Sequence, residues 1–336
     1  MWNTINSADA LPVIFAGLMG LSILLYVILD GYDLGVGILM SRAEPDEKDQ
    51  MIASIGPFWD ANETWLVLGI GLLLVAFPIA HGIILSTLYI PVAVLLGGLI
   101  MRGVAFDFRA KAHQDHKTAW DWAFFGGSLV AALAQGYMLG LYIVGFERSA
   151  INIAFGLLCG ICLAAGYAFI GGCWLIMKTE NDLQRKAAYW ARFCLWLTAI
   201  GLGAVSLATP LVSERMFEKW FGMPAILFLL PVPIVTGLLI VGLDRLLAKM
   251  PLPADRYNWL PFIGAASIFA LGFLGLAYSF FPYVILDRMT VWQAASAPES
   301  LAFILVGVLI VLPFILGYTF YAYWVFWGKV RELTYY

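Results

Sequence analysis

Uncharged apolar runs of about twenty residues alternate with short polar stretches along nearly the whole chain. A membrane-spanning helix needs about 20 apolar residues at a rise of about 1.5 Å each. Nine runs meet that length: about 11–40, 62–80, 83–106, 121–146, 150–177, 188–209, 223–246, 258–281 and 300–327. Only helices or closed barrels satisfy their backbone groups in lipid, and these runs are too long and continuous for barrel strands. The pattern predicts an all-α, polytopic membrane protein with nine transmembrane helices. The connections are short, so neighbouring helices are mostly antiparallel. No linker, low-complexity tract or internal repeat breaks the pattern, and residues 1–336 read as one integral membrane domain.

Composition agrees. The 336 residues are 62% hydrophobic and 12% charged, with a mean hydropathy of +0.88, against about 25% charged residues in a soluble domain. No basic patch with interleaved aromatics is present, which argues against a nucleic-acid partner. The N-terminus lacks Lys and Arg ahead of the first apolar run, and no small-residue cleavage pattern follows it, so that run reads as a retained helix.

Positive charge sets the expected orientation. Fifteen Lys and Arg, including Arg331, lie after the odd-numbered spans and at the C-terminus; the other side has Arg148, Arg215, Lys219 and Arg288. The positive-inside rule then predicts a periplasmic N-terminus and a cytoplasmic C-terminus.

The informative exception to the apolar pattern is in the first span. Nineteen uncharged residues, Leu11–Leu29, run into Asp30-Gly31-Tyr32-Asp33, and apolar residues resume at Leu34. An acid at membrane depth costs about 2.5–3.5 kcal/mol even on the mild insertion scale, and marks function by default. Three residues apart, Asp30 and Asp33 share a helix face. Two adjacent carboxylates in a low dielectric require a shared proton or a nearby cation. Arg102 lies nineteen residues into the third span, about 28 Å of helix, a depth matching that of Asp30. An Arg102–carboxylate pair is therefore expected. The second span begins at the same level with Gly56-Pro57-Phe58-Trp59-Asp60-Ala61-Asn62-Glu63-Thr64-Trp65. Asp60-x-x-Glu63 resembles a capping box, but the two acids also fall in one leaflet with Asp30, Asp33 and Arg102. Asp107 and Arg109 read as a surface ion pair.

Other residues carry plainer expectations. Cys159-x-x-Cys162 reads as two small apolar residues on a buried helix rather than a metal or redox site. The pairs Gly31/Gly35, Gly136/Gly140 and Gly156/Gly160 predict close helix packing. Trp120 and Trp122 read as interface anchors flanking an Asp121 N-cap. Prolines 78, 91, 231, 233 and 313 predict kinks. No histidine falls inside a span: His81, His113 and His116 lie in turns and loops. Lone methionines such as Met138 and Met223 read as packing, so haem ligation by this chain is not expected.

Three segments, Asp30–Gly37, Gly56–Trp65 and Arg102–Arg109, resemble subunit II of the cytochrome bd-type quinol oxidases, and Trp120-Asp121-Trp122 is similar as well. The compact length is similar to the cyanide-insensitive branch. The resemblance implies two four-helix bundles (about 11–146 and 150–281) plus a peripheral helix (about 300–327). It implies a complex of the bacterial inner membrane that oxidises quinol and reduces O₂ to water. Haem b and haem d would belong to a partner, subunit I. A small single-helix subunit, and a quinone or lipid between the helices, are left open. Onto this chain the resemblance carries a cytoplasmic proton route through Asp30, Asp33, Asp60 and Arg102, with Glu63 and Trp59 as further participants. The rival reading is a proton- or ion-coupled secondary transporter. That reading needs broken helices in two repeated halves with polar residues at the midplane, where Gln135 is one of few candidates. A purely structural scaffold is the third alternative.

Overall fold

The first helix does not break at its acids. In the computed structural model, which describes residues 7–212, 214–223 and 225–330, α1 runs from Ser7 to Leu39 without interruption. Arg331 lies outside the described residues. Asp30 and Asp33 are retained in the helix because side chains from other helices meet them, as shown below.

A short amphipathic helix, α2 (Pro45–Ile55), follows, started by a capping box between Glu44 and Glu47. Then come α3 (Trp59–Ala76) and α4 (Pro78–Lys111), separated only by Phe77. Next are α5 (Gln114–Ile143), α6 (Ala150–Lys178) and α7 (Asn181–Val212). After them come the short α8 (Glu214–Phe221) and α9 (Ala225–Leu229), then α10 (Pro231–Leu247) and α11 (Leu260–Phe280). A small antiparallel hairpin, β1 (Tyr283–Ile285) with β2 (Met289–Thr290), leads into α12 (Val291–Ala294) and α13 (Pro298–Val325).

Eight of these helices are long and apolar enough to cross a membrane, among the described residues. The seventh expected span, 223–246, is divided into α9 and α10 at Leu230. Pro231 has no N–H to continue the helical ladder, and Pro233 follows it. Alone, the 17 residues of α10 give about 25 Å of helix, short of the roughly 30 Å hydrocarbon core. Pro91 bends its helix rather than ending it: Leu88, three residues earlier, lies at the non-helical φ −102°, ψ 15°, so two helical segments of α4 meet there across a kink.

α6 is the central element. It packs against α1, α5, α7 and α11, and from Gly166 to Lys178 every residue is buried. Small residues permit this crowding. A Cβ on Gly35 would stand 1.7 Å from the Tyr167 carbonyl oxygen, so α1 and α6 touch backbone to backbone. Gly136 and Gly140 meet Cys159, Gly156 and Gly160 in the same way between α5 and α6. The glycine pairs therefore serve packing within the bundle, and Cys159 sits against Gly140.

The helices alternate in direction, so the two ends of the bundle differ. At one end, here the charged end, α1, α4, α6, α10 and α13 finish. Lys186 pairs with Glu47, Lys329 with Asp255, and Lys117 with Asp49 there. Val330 N–H also bonds the Lys178 carbonyl at 2.8 Å. The opposite, hairpin end is tied by Ser296 N–H to the Ala76 carbonyl at 2.8 Å and by Arg215 to Asp287.

Two expectations at the charged end are corrected. Asp121 is not an N-cap: α5 begins seven residues earlier at Gln114, with His113 as its cap. Asp121 is buried and pairs with Arg109 and Lys48. Arg109 likewise is no surface partner of Asp107. It is buried, bridging Asp121 and Asp49, while Asp107 is exposed. The better-placed carboxylates come from α2, which carries Asp49, and from α5, which carries Asp121.

Candidate functional site

The site begins with α4 lying against α5. A Cβ on Gly127 would come within 2.6 Å of the Gly98 carbonyl and 2.8 Å of the Arg102 amide. That close approach leaves the Arg102 side chain 1% exposed and turned inward. Its Nη2 donates to Asp30 Oδ1 at 2.7 Å and also to Glu63 Oε1. The Trp59 ring centroid lies 5.9 Å from the guanidinium carbon, and Trp59 in turn packs on Phe106. The expected Arg102–carboxylate pair is thus present. Sequence reasoning named Asp30, Glu63, Arg102 and Trp59, and the structure brings them together.

Asp33 is on the same face of α1 and fully buried, but its contact is neutral. Asn62 Nδ2 donates to Asp33 Oδ2 at 2.7 Å. One guanidinium therefore faces three carboxyl groups, and among the described residues the Asp33 carboxyl takes its hydrogen bond from an amide. Asp30 Oδ2, Asp33 Oδ1, Arg102 Nε and Nη1, and Ser128 Oγ are buried with no partner among the described residues. Buried polar atoms of this kind are the ones internal water satisfies in proteins.

Asp60 stands apart. It is exposed in the first turn of α3. The capping-box expectation fails: Phe58 is the N-cap and no side chain caps the helix, because Glu63 is engaged by Arg102. Glu63 keeps a side-chain exposure of 27%, one turn further along α3 from Asp60. The series Asp60, Glu63, Arg102, Asp30 thus runs from exposed to fully buried.

The sequence reading missed several polar partners. Asn62 lay inside a quoted segment, and an amide between Ala61 and Glu63 at membrane depth was the signal available. Tyr32, likewise between Asp30 and Asp33, accepts from Asn62 Nδ2 at 2.9 Å. Tyr323 of α13 contacts the Tyr32 hydroxyl at 2.7 Å, and no local pattern marks it. Gln135 donates to Tyr26 OH at 2.7 Å and accepts from Tyr167 OH at 2.7 Å, one turn from Asp30.

His81 lies in the first turns of α4 at the hairpin end, while His113 and His116 are exposed at the charged end. Among the described residues no group of three or more His, Cys, Asp or Glu could hold a metal ion.

The family profile described as cytochrome bd terminal oxidase subunit II matches residues 11–326. The chain belongs to that family. As a subunit II family member, it is 28% identical over 333 residues to "Cytochrome bd ubiquinol oxidase subunit 2" of Bacillus subtilis (strain 168), covering 91% of this chain and 93% of the relative. It is 26% identical over 373 residues to "Cytochrome bd-I ubiquinol oxidase subunit 2" of Escherichia coli (strain K12), covering 96% of each. The structure of bd oxidase from Geobacillus thermodenitrificans includes a chain that superposes with a TM-score of 0.76. That match has 16% identity and covers 94% of this chain and 99% of the other, a likeness of fold. Membership in the subunit II family displaces the transporter reading.

Proposed function

We propose that this subunit II scaffolds a haem-bearing subunit I and admits protons from the cytoplasm toward the haem site housed there. By family the chain is a subunit of a terminal quinol oxidase, a quinol:O₂ oxidoreductase, and a multi-pass protein of the bacterial inner membrane. Within that frame the charged end is the cytoplasmic one and the N-terminus is periplasmic. The chain forms one membrane domain of nine crossings, the divided α9–α10 counted as one, arranged as two four-helix bundles plus peripheral α13.

O₂ reduction to water consumes protons, and haem b and haem d supply the redox chemistry when bound in the partner. This chain's own residues do something simpler. Asp60 is the exposed acid, Glu63 the half-buried one, Arg102 a fixed cation, and Asp30 and Asp33 the buried acceptors. Arg102 stabilises one negative charge at Asp30 by direct contact. Among the described residues Asp33 has no cation in contact, so it is the group suited to take up and release a proton.

The observation that carries this reading is the buried Arg102–Asp30 pair with partly exposed Glu63 on the same Nη2. The test uses the complete oxidase complex. Asp33→Asn, and separately Asp60→Asn, are compared with the parent for haem spectrum and quinol-oxidase turnover. The expected result is an intact haem spectrum with turnover about a hundredfold or more lower for Asp33→Asn, the usual scale of a positioned proton-transfer group. Unchanged turnover in a fully assembled Asp33→Asn complex would leave only the scaffold.

A further inference from the structure

Asp33 is approached by a closed ring of three side chains. Asn62 Nδ2 donates to Tyr32 OH at 2.9 Å, the Tyr32 and Tyr323 hydroxyls are 2.7 Å apart, and Tyr323 OH donates to Asn62 Oδ1 at 3.2 Å. Each hydroxyl has one hydrogen, so these contacts fix a single direction. Tyr323 gives its hydrogen to Asn62, which leaves Tyr32 to donate to Tyr323. The second hydrogen of the Asn62 amide then points at Asp33 Oδ2, 2.7 Å away. The 3.3 Å approach of the same amide to the Leu29 carbonyl is the weaker contact.

A carboxamide presents nearly the same shape after a half-turn, with donor and acceptor exchanged. Turning Asn62 places Oδ1 toward Asp33 and Tyr32 and Nδ2 toward Tyr323. The ring then closes in the opposite direction: Asn62 to Tyr323, Tyr323 to Tyr32, Tyr32 back to Asn62 Oδ1. In that state Asp33 meets an acceptor, which a protonated carboxyl satisfies and a carboxylate does not. Both directions use both hydroxyl hydrogens and neither moves a helix, but the reversed one leaves one Asn62 amide hydrogen without an acceptor and turns Oδ1 toward the Leu29 carbonyl, so it forms only while a protonated Asp33 donates to Oδ1.

We propose that Asn62, Tyr32 and Tyr323 form a reversible hydrogen-bond ring that positions Asp33 in both its ionised and its protonated form. This rests on the proton-route reading of Asp33. The proton that arrives on Asp33 stays on its carboxyl oxygen and donates to Asn62 Oδ1. The ring members only rotate, so no bond to a heavy atom is made or broken. The charged groups acting on Asp33 are Asp30 on its own helix, Glu63 on α3 and Arg102 on α4. Tyr323 comes from α13, and its ring stacks on Phe58 at 4.6 Å. Tyr32 stacks on Trp174 at 4.1 Å. Both rings are therefore held by packing, independently of their hydroxyls.

The test is Tyr323→Phe in the intact oxidase complex, with Tyr32→Phe as a second variant that keeps its own ring stacked. Two readouts apply: the pH profile of quinol-oxidase turnover, and the infrared carboxylic C=O band assigned to Asp33 through its loss in Asp33→Asn. Both variants are expected to retain the haem spectrum, to lose about fivefold in turnover, the scale of one hydrogen bond, and to shift the Asp33 band. An unmoved band together with an unchanged pH profile in both variants overturns the ring. So does a defect in Tyr323→Leu that Tyr323→Phe does not share, because ring packing alone then accounts for it. If Asp33→Asn leaves turnover intact, the proton route fails, and the infrared band still decides whether the ring positions Asp33.

Discussion

Replacing Arg102 by methionine leaves Asp30 in the interior with its charge unmatched. Asp30 is 0% exposed, and Arg102 Nη2, 2.7 Å away, is its cation. Removing one member of a buried pair typically costs about 3–5 kcal/mol, because the other charge stays in a medium that solvates it poorly. Glu63, at 27% side-chain exposure, can turn to water and adds little to the loss. A protein stable by about 5–15 kcal/mol overall does not tolerate such a change silently. Arg102→Met is therefore expected to lower the thermal stability of the oxidase complex in detergent and the yield of haem-loaded complex from membranes. The companion is the double variant Asp30→Asn, Arg102→Met. It removes both charges, keeps similar volumes, and is expected to recover most of the stability while turnover stays low. The interaction energy from this cycle isolates the pair from its surroundings. An Arg102→Met complex that melts at the parental temperature would refute the argument, since the charge left on Asp30 would then have to be solvated by something other than Arg102.

Other consequences are as specific. Gly35→Ala places a methyl 1.7 Å from the Tyr167 carbonyl; backbone must move, and assembly is expected to drop sharply, whereas Gly71→Ala, which meets nothing within 4 Å, leaves yield unchanged in the same membrane assay. At Asp255, burial alone raises the carboxyl, but hydrogen bonds from Lys329, Gln184 and Asn258 outweigh it and hold it below its ordinary value. Its contribution is thus complete above the ordinary carboxylate pKa of about 4 and is lost as pH falls through the lower folded value. A nitroxide label on exposed Trp327→Cys is expected to be immobile at neutral pH and to gain mobility in strong acid, or at neutral pH in Asp255→Asn; equal mobility in all three samples would contradict this.

Much of the fold was legible because lipid enforces one solution: long apolar runs become helices. Eight of the nine expected spans appear on that ground alone. The seventh is broken in two, which hydropathy does not report, because Pro231 divides α9 from α10 without making the segment more polar. The buried pair was legible through depth. Asp30 and Arg102 sit equally far into helices of known rise, so a one-dimensional measurement was enough. Asp121 and Arg109 were misread for the opposite reason. Their burial depends on the Arg42–Glu44 loop and α2 folding beneath the bundle, which no periodicity reports. The resemblance put Asp60 ahead of Glu63, but the rotation of α3 leaves Asp60 exposed and brings Glu63 to Arg102. Tyr323 was out of reach, being 291 residues from Tyr32 in a span whose pattern is uniformly apolar.

That distance has a consequence in time. Asp30, Asp33, Asn62 and Arg102 all leave the ribosome more than 200 residues ahead of Tyr323 and Lys329. Until α13 inserts, the hydroxyl contact to Tyr32 and the attachment of the tail to Asp255 and Thr179 do not exist. The acidic interior of the first helices must therefore wait, partly unsatisfied, for α13. A nascent subunit cut short before its final helix would carry the costly charges of this site without the part that completes them, and the membrane's quality-control machinery would have a physical basis for telling the two apart.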